Sequence, residues 1–158
     1  MDSASLLDFS LVPVTDDDRD LLYRLALDPV ARLWSFDPTA PTRKQHEAWF
    51  AAWMARPDCA RWIVRLGEQR VGLIWAERAH QHAAHVSINL ASSVRGNGLG
   101  PVALRAVVPL IRQEWDAVVL AYILPGNTAS MRCFERAGFQ CSPLAVTYKG
   151  REARLYAA

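Results

Sequence analysis

Apolar and polar positions divide this chain into segments of two different periods. Residues 6–13 read as a first strand, and Thr15, Asp16, Asp17 and Asp18 follow as a capping-box-like helix start in which Asp replaces the usual Glu. Leu21, Leu22, Leu25 and Ala26 then recur at helical spacing, and Asp28-Pro29 ends that helix. Residues 30–41, with Arg32, Trp34, Phe36, Asp37-Pro38 and Pro41, read as a loop or a broken helix. Thr42-Arg43-Lys44-Gln45 is a second capping box. It opens a helix with His46, Trp49, Phe50 and Trp53 on one face, which Arg56-Pro57-Asp58 closes.

The period then changes. Residues 59–66 and 70–77 read as two strands joined by the turn Gly67-Glu68-Gln69, and residues 83–90 as the next strand. In that third strand Val86, Ile88 and Leu90 share one face, and His85, Ser87 and Asn89 share the other. A helical stripe of Leu104, Val107, Val108 and Ile111 follows within residues 101–115. Residues 118–124 form an unbroken apolar run, as expected of a strand covered on both faces. Pro125-Gly126-Asn127 turns the chain into a last helix, 128–137, which Gly138 ends. Residues 139–147 and 152–156 close the chain as a hairpin around Lys149-Gly150. The order implies an α/β (α+β) fold: a mixed, mostly antiparallel central sheet of about seven strands with helices on both faces. Its parallel pair is the crossover from the strand at 83–90 through helix 101–115 to the strand at 118–124.

The 158 residues fit one domain, without repeats or linkers. Apolar residues make up 51% and charged residues 22%, an ordinary globular balance, and the net charge of +2 argues against a nucleic-acid partner. No apolar run approaches the roughly 20 residues of a membrane span. The first six residues have neither a basic start nor a long apolar stretch, so no signal peptide is expected. Cys59, Cys133 and Cys141 are an odd set without metal-ligand spacing; they read as reduced thiols in a cytoplasmic protein, with no metal cofactor. A monomer or homodimer is expected.

The chemistry concentrates where the strand ending at Leu90 meets the helix beginning near Pro101. Between them, Arg95-Gly96-Asn97-Gly98-Leu99-Gly100 has glycines at alternate positions. A glycine loop running into a helix start presents free N–H groups and the positive end of a helix dipole, an arrangement that holds phosphate or pyrophosphate. No Gly-Lys-Ser/Thr follows as in a Walker A loop, and the third glycine comes one residue early for a dinucleotide fingerprint. About thirty residues further on comes Asn127-x-x-Ser130-x-x-x-Phe134-x-x-x-Gly138-Phe139.

The pattern Arg95-x-x-Gly98-x-Gly100 resembles the acetyl-CoA pyrophosphate loop of the GNAT superfamily of N-acetyltransferases, and the segment from Asn127 to Phe139 resembles that family's second motif. The resemblance covers nearly the whole chain. It implies the GNAT fold and acetyl-CoA as co-substrate, with Leu90, Arg95, Gly96, Asn97, Gly98, Gly100, Asn127, Ser130 and Phe134 at its binding site. Backbone amides of the loop are to hold the pyrophosphate, with added charge from Arg95; Asn127 and Ser130 are to line the thioester channel. More loosely, Arg32-x-Trp34, then Thr42-x-x-x-His46-x-x-Trp49-Phe50, then Ile88-Asn89-Leu90, resemble the GNAT enzymes that acetylate the 4-amino group of nucleotide-linked deoxysugars, the pseudaminic-acid-pathway type. This implies an acceptor site containing Arg32, Trp34, His46 and Trp49 beneath a lid formed by residues 30–50.

The implied reaction, attack of an amine on a thioester, needs a neutral amine, a polarised carbonyl and a proton for the leaving thiolate. Family members often carry a glutamate base on the strand before the loop; here that strand offers His85, Ser87 and Asn89, which order a water, or His85 alone as base. Glu77 on the preceding strand reads as a hairpin surface charge. Phe134 occupies the position of the family's usual tyrosine acid, with Ser130 and the neighbouring Tyr122 as remaining hydroxyls. Without a strand glutamate, an α-amine or sugar amine, costing about 1 kcal/mol to deprotonate at pH 7, suits the site better than a lysine at about 4–5 kcal/mol. The residues are compatible with a small-molecule amine N-acetyltransferase, a protein N-terminal acetyltransferase, or a non-catalytic acyl-CoA-binding module.

Overall fold

A computed structural model describes residues 8–158. The reading of the first six residues and the start of the expected strand at 6–13 lie outside them. The order is β1 (Phe9–Pro13), α1 (Arg19–Leu27), α2 (Pro29–Leu33), α3 (Arg43–Met54), β2 (Cys59–Leu66), β3 (Gln69–His80), β4 (Ala83–Leu90), α4 (Leu99–Trp115), β5 (Val118–Ile123), α5 (Thr128–Arg136), β6 (Gln140–Tyr148) and β7 (Arg151–Ala157). The strands form one seven-stranded sheet in the order β1-β2-β3-β4-β5-β7-β6. Every neighbouring pair is antiparallel except β4 and β5, which the α4 crossover makes parallel, as expected.

Strict alternation along the strands separates two apolar cores. Val64, Ile74, Ala76, Val86, Val119 and Ala121 point to one face, where Leu104, Val107 and Ile111 of α4 and Phe134 of α5 cover them. Ile63 and Leu73 point to the other, where Leu22 and Leu25 of α1 and Phe50 and Trp53 of α3 cover them. Among the described residues no helix is long and apolar enough to cross a membrane.

Local signals fix the helix ends. The N–H of Thr42 donates to Oε1 of Gln45 at 2.8 Å and the N–H of Gln45 donates to Oγ1 of Thr42 at 3.3 Å, the reciprocal capping box expected at α3. Asp18 accepts from the N–H of Thr15 at 2.9 Å; buried, it also pairs with Arg70 at 2.7 and 2.8 Å, tying the start of α1 to β3. The segment 30–41 is in part helical: Pro29 stands in the first turn of α2, with Asp28 as cap accepting from the N–H of Ala31 at 2.8 Å.

One expectation fails. The run 118–124 is covered on one face only: Val119, Ala121 and Ile123 are buried, whereas Val118 is exposed and Leu120 and Tyr122 are half-buried on the opposite face. Neither α1 nor α3 packs broadly across β5, and that face is covered only in part, by Tyr148 stacked on Tyr122.

Candidate active site

After Leu90 the chain makes one 3₁₀ turn, Ser92–Val94, and enters the glycine loop. Gly96 and Gly98 have φ of 79° and 83°, the left-handed region that side chains disfavour, and Gly98 caps α4. The N–H groups of Gly96, Asn97 and Gly98 have no acceptor among the described residues, so the loop and the start of α4 present free donors.

Gly100 has a different task from the one its spacing implies. It lies within α4, and a Cβ there would come 2.6 Å from the Sγ of Cys133 on α5; the position is glycine so that the two helices can close up. The guanidinium of Arg95 is likewise committed. Its Nε donates to the carbonyl of Leu90 at 2.8 Å and its Nη1 to Oδ1 of Asp28 at 2.9 Å. Arg95 is therefore a strut between the loop and the α1–α2 junction rather than a free charge for a phosphate. Burial raises the Asp28 carboxyl, but the bonds from Ala31 and Arg95 outweigh it and hold the group below the ordinary carboxylate value.

Beyond the loop the sheet forks. β4 and β5 pair only at Ala83–Val118, Ala84–Val119 and His85–Leu120, and the remainder of each strand diverges. The fork opens into a cleft of about 480 Å³. Leu90 and Arg95 line it at one end, and α5 contributes Ser130, Cys133 and Phe134. Asn127 also lines it while capping α5, its Oδ1 accepting from the N–H of Ser130 at 3.2 Å. Phe134 is buried edge-on against Phe139, so the position of the usual acid is apolar and packed. Burial pushes the Cys133 thiol up to about 11, so it stays protonated near neutral pH and is a poor nucleophile. Gly96, Asn97, Gly98 and Gly100 do not line the cleft itself; the first three lie in the loop that leads from Arg95 to α4.

The open face of β4 faces this cleft. His85 and Ser87 line it, as does Asn89, whose Nδ2 is spent on the carbonyl of Leu25 at 3.0 Å. The imidazole of His85 stands edge-on to Tyr122 at 4.8 Å and to Tyr148 at 5.5 Å, and the two phenol rings stack at 4.1 Å. Burial lowers the His85 pKa below 6.5, against the pull of Glu77, so the ring is neutral at pH 7 and accepts a proton. Burial raises the Tyr148 phenol, which keeps its proton.

Glu77 lines the cleft too, correcting its reading as a hairpin surface charge. Its placement comes from a bulge. His80 pairs with Ala83 across the turn, and unbroken pairing would set Arg78 opposite His85. One extra residue between Arg78 and His80 shifts the register, so Arg78 opposes Ala84 and Glu77 opposes His85. Sequence alternation alone does not reveal a bulge. Tyr148 and Lys149 were missed for another reason: the closing hairpin folds back over the fork from a distant part of the chain.

Residues 30–41 reach over the cleft. Trp34 lies 3.5 Å from where a Cβ of Gly126 would sit, Phe36 meets Tyr148 edge-on at 5.0 Å, and Arg151 donates to the carbonyl of Ser35 at 3.0 Å. Nη1 of Arg32 donates to the carbonyls of Asp37 and Thr39, folding the lid on itself. Trp34, Arg32 and Trp49 line the cleft, Trp49 stacking on Trp53 at 4.9 Å. His46 does not. It is buried between Tyr23, Trp49 and Phe50 with Nε2 3.1 Å from the carbonyl of Arg19, a core residue pinning α3 to α1.

Residues 8–140 match the family model described as an acetyltransferase (GNAT) domain. Two mycothiol acetyltransferases, from two strains of Corynebacterium glutamicum, are 30% and 29% identical over 87 residues; the match takes in 52% of this chain and spans only 29% of the length of those relatives. Among solved structures, an aminoglycoside acetyltransferase AAC(6')-Ib in complex with coenzyme A has a TM-score of 0.82 at 20% identity, covering 95% of this chain and 94% of that one. A spermidine N-acetyltransferase from Vibrio cholerae, in complex with CoA and spermine, has a TM-score of 0.81 at 15% identity, covering 95% of each chain. Both share the fold described above.

Proposed function

The chain belongs to the GNAT acetyltransferase domain family, and as an N-acetyltransferase of that family we propose that it acetylates the primary amine of a small molecule whose remaining bulk is neutral or anionic, with a nucleotide-linked amino sugar as the preferred class. The observation that carries this reading is the charge of the cleft. Among the described residues that line it, Arg56 is paired with Glu77 and Asp58 and Arg95 with Asp28, whereas Arg32 and Lys149 have no carboxylate partner and Glu77 is the single carboxylate. The unpaired charges of Arg32 and Lys149 disfavour a polycation and favour an acceptor that brings its own phosphate or carboxylate. Aromatic rings of Trp34, Trp49 and Trp75 supply faces for a sugar or a base. The contacts from lid to hairpin weigh against a groove open to a protein N-terminus.

The residues fit acetyl-CoA as co-substrate. The free N–H groups of Gly96, Asn97 and Gly98 at the start of α4 suit a pyrophosphate. Among the described residues the β5-facing edge of β4 beyond His85 has no strand partner, and it suits an extended amide-bearing arm. Acetyl-CoA supplies the thioester that the amine attacks. His85 holds the acceptor's proton once the amine has lost it. Tyr122 and Tyr148, the phenols beside His85, stand in for the hydroxyl that Phe134 lacks. Two phenols and a neutral imidazole in one cleft favour catalysis over mere acyl-CoA storage.

CoA release is the test. With a nucleotide-linked 4-amino sugar or glucosamine 6-phosphate as acceptor, kcat/KM should exceed that with spermidine or an aminoglycoside by about tenfold or more, a difference of about 1.4 kcal/mol. Equal or better turnover of the polycations overturns the proposed acceptor class.

A further inference from the structure

We propose that Glu77 is the ammonium-binding carboxylate of the acceptor site, receiving the substrate's amine in its charged form and setting it beside His85. This rests on the reading of the chain as an amine acetyltransferase and adds the group that selects the amine.

Glu77 is the single carboxylate among the described residues that line the cleft, and the bulge in β3 turns it to the same face as its cross-strand partner His85. The neighbouring cross-strand pair, Trp75 and Ser87, lines the cleft as well, so two residues of each strand make one small patch. Arg56 holds the carboxylate in place. Its Nη1 donates to Oε1 of Glu77, while its Nε and Nη2 donate to Asp58 at 3.0 and 2.9 Å. One guanidinium thus faces two carboxylates, and the trio keeps a net negative charge. Oε2 of Glu77 has no hydrogen-bond partner among the described residues. A carboxylate oriented by an arginine, with one oxygen free, is the natural partner of an ammonium group. The other cations of the cleft are arranged differently: Arg32 folds the lid and Arg95 braces the loop, while Lys149 lies over the ring of Tyr148. One ammonium therefore has one place to go, and a second positive charge on the same substrate meets cations.

The chemistry balances without a further reagent. The ammonium donates one N–H to Oε2 of Glu77 and passes a proton to His85. The freed lone pair attacks the thioester carbonyl carbon, so a C–N bond forms and the C–S bond breaks with its electron pair on sulfur. A second proton leaves the nitrogen for the thiolate through water, and the imidazolium later releases its proton to solvent. The products are the N-acetylated amine, CoA thiol and one proton.

The experiment is calorimetry of glucosamine 6-phosphate binding to the full chain loaded with CoA, run beside CoA release from acetyl-CoA with the same amine. Glu77→Gln should weaken amine binding by about tenfold or more, Glu77→Asp by less, and neither should change acetyl-CoA affinity. A merely structural Glu77 would instead affect acetyl-CoA binding and Tm together with amine binding. Wild-type binding that Glu77→Gln leaves unchanged, or no binding by the wild type at all, overturns the proposal. The function reading falls separately. Turnover that ignores Glu77 sinks the anchor alone, whereas Glu77-dependent binding with no CoA released sinks the acetyltransferase reading of this site and leaves the anchor standing.

Discussion

A methyl group at position 100 would lie 2.6 Å from the Sγ of Cys133. Alanine in a helix normally gains about 0.5–1 kcal/mol over glycine, so the sign of Gly100→Ala depends on what faces it. In the native background the contact with Cys133 should make the substitution destabilising by about 1 kcal/mol, and in a Cys133→Ala background it should become neutral or stabilising. Urea unfolding of the four proteins measures this; the same sign in both backgrounds refutes the packing role. Two histidines, His46 buried and His85 half-buried, give a second test at this scale. Burial lowers the pKa of His46 below 6.5, with Arg43 and Arg19 adding to the shift, and it lowers that of His85 as well. Below pH 6.5 the unfolded chain then binds more protons than the folded one, so stability falls as pH drops through the folded pKa values and is level above 6.5. The slope is at most about 1.4 kcal/mol per pH unit for each histidine. His46→Phe should flatten the fall of Tm between pH 6.5 and 5.5, and an unchanged slope there excludes His46 as its source. Sequence reading saw the ring of His46 and the glycine at 100 but assigned both to ligands. A core histidine and a ligand histidine, or a packing glycine and an anion-loop glycine, carry the same local pattern and differ only in what lies opposite.

Elements were more legible than single residues. Periodicity placed β2, β4, α3, α4 and α5 within a few residues of their ends, because each buries one face and the pattern records it. It did not show the five-residue α2, too short for a stripe, nor the bulge of β3, which leaves no mark in an alternating sequence yet decides what Glu77 faces. The lid is the element whose role is open to direct test. Trp34 covers Gly126 and lines the cleft, while Arg32 folds the loop by way of the Asp37 and Thr39 carbonyls. Trp34→Ala and Arg32→Ala should each lower kcat/KM for the acceptor about tenfold, about 1.4 kcal/mol, while acetyl-CoA affinity stays as in the wild type. If neither variant changes acceptor kinetics, residues 30–41 are packing and not part of the acceptor site.

At the scale of the whole molecule, the order of elements foretold the mixed sheet with its one parallel pair, since a strand, a long helix and a strand admit few other arrangements. The cleft was less legible, being assembled from β3, β4, β5, the lid and a hairpin from the far end of the chain. The fork gives the assembly a further property. Along the sheet only three residue pairs join β4 to β5, so a ligand seated between the diverging strands would bridge two halves of one sheet. Any ligand that binds only the folded chain adds its binding energy to folding, about 2.7 kcal/mol at a hundred times its Kd. If acetyl-CoA is that ligand, as proposed, the protein's lifetime against unfolding and proteolysis follows the supply of its acyl donor, so that scarcity of the metabolite thins the protein as well as slowing its turnover.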